Sequence, residues 1–275
     1  LFEASVGGGM PVIRMIREGL AAERVESIRA IINGTSNYIL TAMSQGGDTY
    51  DEALAQAQAQ GYAEADPTMD VGGIDAAQKL SILAALSFGT QLDFERFLVE
   101  GISTVTALDI HYARTLGYVV KPLAIARAFD DGIEARVHPA LVPADSMLAS
   151  VHGVFNTVMV ESSSLRPVLI YGQGAGMLPT ASAVLADVIE LGRNVRRGTS
   201  GRLPHLAFHQ DLVAERALRS ADDITCPWYL RIPVRDQPGV LATVAGILGH
   251  QGISISRMVQ DAPADEEAEG NVQVV

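Results

Sequence analysis

Hydrophobic positions recur along this chain with two periods. Steps of three and four residues predict helices. One starts at Pro11, a residue suited to a first helical turn. It carries Val12, Ile13, Met15, Ile16 and Leu20 on its apolar side and turns Arg14, Arg17 and Glu18 to solvent. Others fall at Ile74, Ala77, Leu80, Ile82 and Leu83, and at Ala107, Ile110, Ala113 and Leu116. A further set at Val184, Leu185, Val188, Ile189 and Leu191 reads as plain core. Residues 37–44 and 50–60 carry weaker helical patterns, and Thr35 or Ser36 is placed to cap the first of them. Alternating or β-branched runs predict strands at 25–32, 118–120, 123–129, 133–139, 153–161 and 166–171, with 94–100 extended. Asp130-Asp131-Gly132 reads as a hairpin turn between two of them.

Past about residue 206 the pattern turns mixed, and 210–226 reads as a linker. A strand (228–234), a helix ending near Gly249, a strand (253–259) and the start of another (270–275) follow. Between the last two, 262–270 is an acidic loop, expected to be a solvated hairpin connection. The chain divides as 1–209, 210–226 and 227–275. The expected class is α/β of the α+β kind: a mixed β-sheet covered by helices, then a smaller unit. The chain opens at Leu1 inside a motif and stops within a strand, so it reads as a fragment.

Composition narrows the partners. A net charge of −12 and a pI near 4.9 argue against nucleic acid, which needs Lys/Arg clusters. Arg193, Arg196 and Arg197 are the densest cationic group, and they follow a helix, where cations are favoured. The lone Cys226 builds no disulfide framework and fits a reducing compartment. No apolar run reaches about 18 residues, so no membrane span is expected. With no secretory signal, the cytoplasm is the default. His138 and His152 have no third ligand in view and read as structural.

Residues 61–80 concentrate the polar chemistry. The first half is a loop. Pro67 disfavours a helical Asp66, Gly72-Gly73 break the chain again, and Glu64, Asp66 and Asp70 place three carboxylates close together. Asp75 and Lys79, four apart on the following helix, share one face in the favourable order. Carboxylates beside an ammonium can hold a zwitterionic amino acid. Most pairs at this spacing are solvated surface contacts, however, and spacing alone favours that reading. Two glycine runs, Gly7-Gly8-Gly9 and Gly172-Gln173-Gly174-Ala175-Gly176, allow close backbone approach. Each is also a plain strand-to-helix turn, and the second lacks the full dinucleotide fingerprint.

The series Gly61-Tyr62-x-Glu64-x-Asp66-Pro67, then Asp70, then Gly73-x-Asp75-x-x-x-Lys79 resembles the substrate-binding signature of the homoserine dehydrogenases. The resemblance runs from Leu1 to about Leu206. Met69 stands where that family often has a second Asp, and Gln78 where it often has Arg. The resemblance implies an oxidoreductase interconverting L-homoserine and L-aspartate 4-semialdehyde with NADP or NAD, in threonine, methionine and isoleucine biosynthesis. It implies Lys79 as proton donor to the developing alkoxide, or as the residue orienting the water that donates, and Asp75 as its positioner. Glu64 and Asp70 would hold the substrate ammonium, with Gly34, Thr35 and Tyr62 lining the pocket. Gly61 would lie against the nicotinamide, and Gly174, Ala175 and Gly176 beside its ribose. Glu3 and the carbonyls of Val6, Gly8 and Met10 would ligate a monovalent cation, usually sodium. The dinucleotide domain, with a second lysine sharing the proton transfer, lies outside the chain.

Asp236-x-Pro238-Gly239-Val240-Leu241 after a strand resembles the ACT domain, a ferredoxin-like βαββαβ regulatory module, here truncated. That implies an amino-acid effector such as threonine and a homodimer or higher homo-oligomer. Two alternatives remain at this point. One is an amino-acid-binding regulatory protein with a decayed catalytic site, against which intact Glu64, Asp75 and Lys79 speak. The other is half of a kinase–dehydrogenase fusion, against which the order of the two units speaks.

Overall fold

The computed structural model describes residues 2–199, 203–204, 206–260 and 271–275. Pro11 precedes α1 (Val12–Arg14), which widens into a π-helical turn over Met15–Gly19. Then come β1 (Val25–Ile31), α2 (Gly34–Gly46), α3 (Tyr50–Ala59), α4 (Thr68–Val71) and α5 (Ile74–Phe88). They are followed by β2 (Leu98–Val99), α6 (Ala107–Thr115), β3 (Tyr118–Phe129), β4 (Gly132–Pro143), β5 (Phe155–Ser162), β6 (Val168–Gln173) and α7 (Met177–Arg196).

Six strands make one mixed sheet in the order β2-β4-β3-β1-β5-β6. Central β1 pairs antiparallel with β3 on one side and β5 on the other. β3 and β4 form the hairpin expected at Asp130–Gly132, with Phe129 opposite Gly132. β2 runs parallel to β4. One sheet face presents Ala30, Ala124, Ala126 and Ala135, and these small side chains let Leu80, Leu83 and Ala84 of α5 pack close. The opposite face buries Ile31, Leu123, Ile125 and Met159 under Leu148, Ala149 and Val151. A third cluster joins α2, α3 and α6 through Ile39, Leu40, Met43, Ala53, Ala57 and Ile110.

Several expectations need correction. Helix α2 begins at Gly34 rather than at 37, because Asn33 is its cap: Asn33 Oδ1 accepts from Ser36 N at 2.9 Å. Arg17, expected in solvent, is 6% exposed, since the π-helical turn shifts the helix faces. Within 94–100, a 3-10 turn over Phe94–Arg96 precedes β2. Helix α7 is not core: Leu185 is 57% and Ile189 52% exposed, and Ala183 is its one buried residue.

The second unit pairs β7 (Ile232–Arg235) antiparallel with β8 (Asn271–Val274), with α8 (Val240–His250) between them in the chain. The strand expected at 253–259 forms no ladder. Val259 and Val275 exchange backbone bonds of 2.7 and 2.9 Å, and a single bridge joins Gln260 to Val274. Of the acidic loop, 262–270 lies outside the described residues. No helix among the described residues is long and apolar enough to cross a membrane.

Candidate active site

Asn33 is the centre of the site, and its two amide atoms do different work. Its Oδ1 is used by the α2 cap. That leaves Nδ2, which donates to Asp70 Oδ1 at 2.7 Å and to Asp75 Oδ2 at 2.9 Å. Asp75 Oδ2 also accepts from Lys79 Nζ at 2.7 Å, and Lys79 Nζ donates to Ile32 O at 3.2 Å. The helical i,i+4 spacing makes the Asp75–Lys79 pair, and the end of β1 supplies Ile32 and Asn33 beneath it. Both side chains of the pair are about a quarter exposed, 26% for Asp75 and 24% for Lys79, so a ligand can reach them.

Counting valences shows what this network leaves open. An ammonium has three donors and two are taken here, so Lys79 keeps one for a ligand oxygen. Among the described residues, Asp70 Oδ2 and Asp75 Oδ1 carry no hydrogen bond, so two carboxylate oxygens remain for a cation. Asp70 is also fixed through its backbone: Ser36 Oγ donates to Asp70 O at 2.9 Å. Thr35 Oγ1 donates to Tyr62 O at 2.6 Å, and the Tyr62 ring lies 5.1 Å from that of Tyr38. Gly34 packs so tightly that a Cβ there would meet Val154 O at 2.9 Å. Gly61 has φ +74° and open space on its Cβ side.

Glu64 stands apart from this network. Its side chain is exposed, and its carbonyl accepts from Gln58 Nε2 at 3.1 Å. The sequence reading missed Asn33 as a site residue. The available signal was its place as a cap, since a capping Asn has an amide NH2 to spend elsewhere.

The two glycine runs meet one another. Gly9 N donates to Gln173 O at 2.9 Å, and a Cβ on Gly9 would lie 2.6 Å from that oxygen. A Cβ on Gly172 would lie 2.9 Å from Met10 Cγ, and one on Gly174 would overlap the Asn156 carboxamide. Gly172 and Gly174 are therefore required by packing. Ala175 and Gly176 are exposed at the start of α7. Glu3 is 5% exposed and caps α1, accepting from Ile13 N at 2.9 Å and Arg14 N at 3.0 Å. Burial raises its pKa, and the two amides oppose that rise. Met10 O accepts from Val12 N at 2.7 Å, while Val6 is fully buried.

Elsewhere, His138 Nδ1 lies 2.8 Å from Pro139 O, and His152 Nδ1 lies 3.3 Å from Gln45 Nε2. Lys121 is 1% exposed, donates to Val151 O, and is lowered by burial to a pKa of about 8.

Comparison with known proteins identifies the family. The family model described as homoserine dehydrogenase matches residues 11–189, and the ACT domain model matches 228–272. The homoserine dehydrogenase of Pseudomonas aeruginosa is 48% identical, over all of this chain and 63% of its own length. That of Neisseria gonorrhoeae is 47% identical, over 96% of this chain and 61% of its own. The crystal structure of a homoserine dehydrogenase from Thiobacillus denitrificans superposes with a TM-score of 0.91 at 46% identity, over 99% of this chain and 61% of that one. A hyperthermophilic archaeal homoserine dehydrogenase in complex with NADPH matches with a TM-score of 0.60 at 33% identity, over 69% of this chain and 54% of that one. The chain thus spans under two thirds of the length of these relatives. With a family model covering most of the sequence and relatives at this identity, the chain belongs to the homoserine dehydrogenase family and carries an ACT domain.

Proposed function

We propose that the protein interconverts L-aspartate 4-semialdehyde and L-homoserine with NADPH or NADH. One observation carries this reading: the network around Asn33 leaves one Lys79 donor and one oxygen each of Asp70 and Asp75 unused, on side chains that are partly exposed. That set suits a substrate with an ammonium at one end and a carbonyl oxygen at the other. Asp70 takes the substrate ammonium, with Glu64 approaching from the loop. Lys79 takes the carbonyl oxygen. In the reductive direction the chemistry that a nicotinamide would supply, when bound, is a hydride for the aldehyde carbon. The resulting alkoxide takes a proton from Lys79 or from a water that Lys79 orients. Asp75 holds Lys79 in place through the 2.7 Å contact of its Oδ2 with Nζ. Gly34, Thr35 and Tyr62 line the pocket. Gly61, Gly174, Ala175 and Gly176 face the nicotinamide end, where Gly61 leaves room for close approach.

The cation belongs to the same proposal. Glu3 and the carbonyls of Val6, Gly8 and Met10 are hard oxygen donors, the class that suits sodium. The Glu3 and Met10 oxygens already accept backbone amides, so an ion would use their remaining lone pairs. A higher thermal midpoint in sodium than in choline chloride, lost in Glu3→Gln, checks this without reference to activity. The division into 1–209, 210–226 and 227–275, an amino-acid effector such as threonine, a homodimer or higher homo-oligomer in the cytoplasm, and no nucleic-acid or membrane partner complete the reading.

The test follows NADPH and NADH oxidation with L-aspartate 4-semialdehyde in the complete protein, for wild type and Lys79→Ala. Turnover by wild type and a loss of several orders of magnitude in the variant support the reaction and the role of Lys79. Folded wild type that turns over neither nucleotide overturns it and leaves an amino-acid-binding regulatory protein.

A further inference from the structure

The unit after residue 227 is tied to the catalytic unit at one helix, and the tie is polar. Asp109 lies in the first turn of α6. Its carboxylate accepts from Thr106 N at 2.9 Å and Thr106 Oγ1 at 2.6 Å, which completes a capping box. The same carboxylate accepts from Tyr229 OH at 2.9 Å, Arg231 Nε at 2.6 Å and Arg231 Nη2 at 3.3 Å. Capping needs Thr106 alone, so the three further donors serve the joint and not the helix end. At the other end of α6 the Arg257 guanidinium donates to Leu116 O. That is a terminal carbonyl without an intrahelical partner, and a cation suits it. The ACT unit therefore grips α6 at both ends.

Helix α6 backs the substrate site along two lines. The residues leading into it lie against α4. Ile102 N donates to Val71 O at 2.8 Å, and a Cβ on Gly101 would meet Val71 O at 2.5 Å and Gly72 Cα at 2.9 Å. Val71 is bonded directly to Asp70. On its buried side α6 places Ile110 and Ala113 in one cluster with Ile39, Leu40 and Met43 of α2, the helix that Asn33 caps. Asp70 and Asn33 thus both sit on elements that α6 supports.

We propose that Asp109 is a positioning residue for Asp70 and Asn33, and that the grip of Tyr229 and Arg231 on it carries the state of the ACT unit to the substrate site. The identity of the substrate rests on the function proposed above; the joint itself does not. An effector shifts the site only by its difference in affinity between gripped and released states. The coupling is reciprocal, so substrate must shift effector affinity by the same factor. Contiguity alone does not demonstrate coupling, so the test must measure it.

The variants alter the ACT side and leave the α6 capping box whole. Tyr229→Phe removes one hydroxyl, and Arg231→Lys keeps the charge but loses the fork. In the complete protein the expected result is a KM for aspartate semialdehyde raised roughly fivefold or more, with kcat within about twofold. The response of that KM to added L-threonine shrinks in parallel. Hydrogen exchange quickens at the amides of Ile102, Gly72 and Gly73. Combining either variant with Asp109→Asn adds less than the sum of the two changes. A lower thermal midpoint with unchanged KM and unchanged exchange at 72–73 makes the contact purely structural and overturns the proposal. If wild type does not turn over the aldehyde, the substrate reading fails, while the exchange measurement still decides the joint.

Discussion

Helices α5 and α7 begin alike and end differently. Each follows a glycine turn and each carries a sustained apolar period, and the α7 stripe reads from the sequence as plain core. In α5 the apolar stripe is covered: Ala76, Ala77, Leu80, Leu83, Ala84 and Leu86 are buried against the sheet. In α7 the equivalent stripe is open, with Val184, Leu185, Val188, Ile189 and Leu191 each about half exposed. Periodicity reports that a face is apolar, not what covers it. The covering surface is a tertiary property. For α5 it is built by alanines on β1, β3 and β4, strands that all lie well away from α5 in sequence. For α7 the described residues supply no such floor.

The sharpest way to break this contrast is at Leu80, which is fully buried. Leu80→Ala removes methyl groups from a close-packed region and leaves a cavity. The expected loss is about 2–5 kcal/mol in urea or thermal unfolding. A loss below about 1 kcal/mol would mean that α5 is no better packed than α7.

Next in size is Lys121, a buried cation on β3. At pH 7 it is protonated in both the folded and unfolded chain, and the folded chain carries the desolvation cost. Its folded pKa of about 8 against the ordinary 10.5 corresponds to about 3 kcal/mol of destabilisation below pH 8. Between pH 8 and 10.5 the folded state sheds its proton while the unfolded state keeps it, so stability rises with pH across that window. Lys121→Met loses a hydrogen bond of about 1 kcal/mol. Val151 O retains Asn37 Nδ2 at 3.2 Å, so no acceptor is orphaned. The variant is expected to be about 2 kcal/mol more stable than wild type at pH 7. Its advantage should vanish near pH 10, as read from unfolding curves at several pH values.

Asn33 comes third, and it marks how far the sequence could be read. The Asp75–Lys79 pair was legible, because i,i+4 spacing on a helix fixes it locally. The sheet strands and the hairpin at Gly132 were legible from alternation and turn chemistry. The link from Asn33 to Asp70 and Asp75 was not, because it spans 37 and 42 residues and depends on β1 ending beneath α5. Glu64 was drawn in by its motif, and no local rule places its exposed side chain relative to Asn33. Asn33→Ala should cost about 1–2 kcal/mol through the lost cap and raise KM by freeing Asp70. Asn33→Asp keeps the cap oxygen but loses the NH2 and adds a third carboxylate. It should therefore recover most of the stability while leaving KM impaired. Equal recovery of both would make Asn33 a cap and nothing more.

The smallest expected effect belongs to α7. Leu185→Gln and Ile189→Gln replace side chains that are 57% and 52% exposed, so they forfeit little burial. Exposed substitutions away from caps and cores stay within about 0.5 kcal/mol. In this chain each variant should unfold within that margin of wild type, with better solubility because a contiguous apolar patch is broken. The same two variants in the complete protein ask a different question, since the relatives are over half as long again as this chain. There, a cost of 2 kcal/mol or more would show that sequence outside this chain closes over the stripe. The pattern that predicted a core helix would then have described the whole protein correctly, and α5 and α7 would differ only in which part of the molecule covers them.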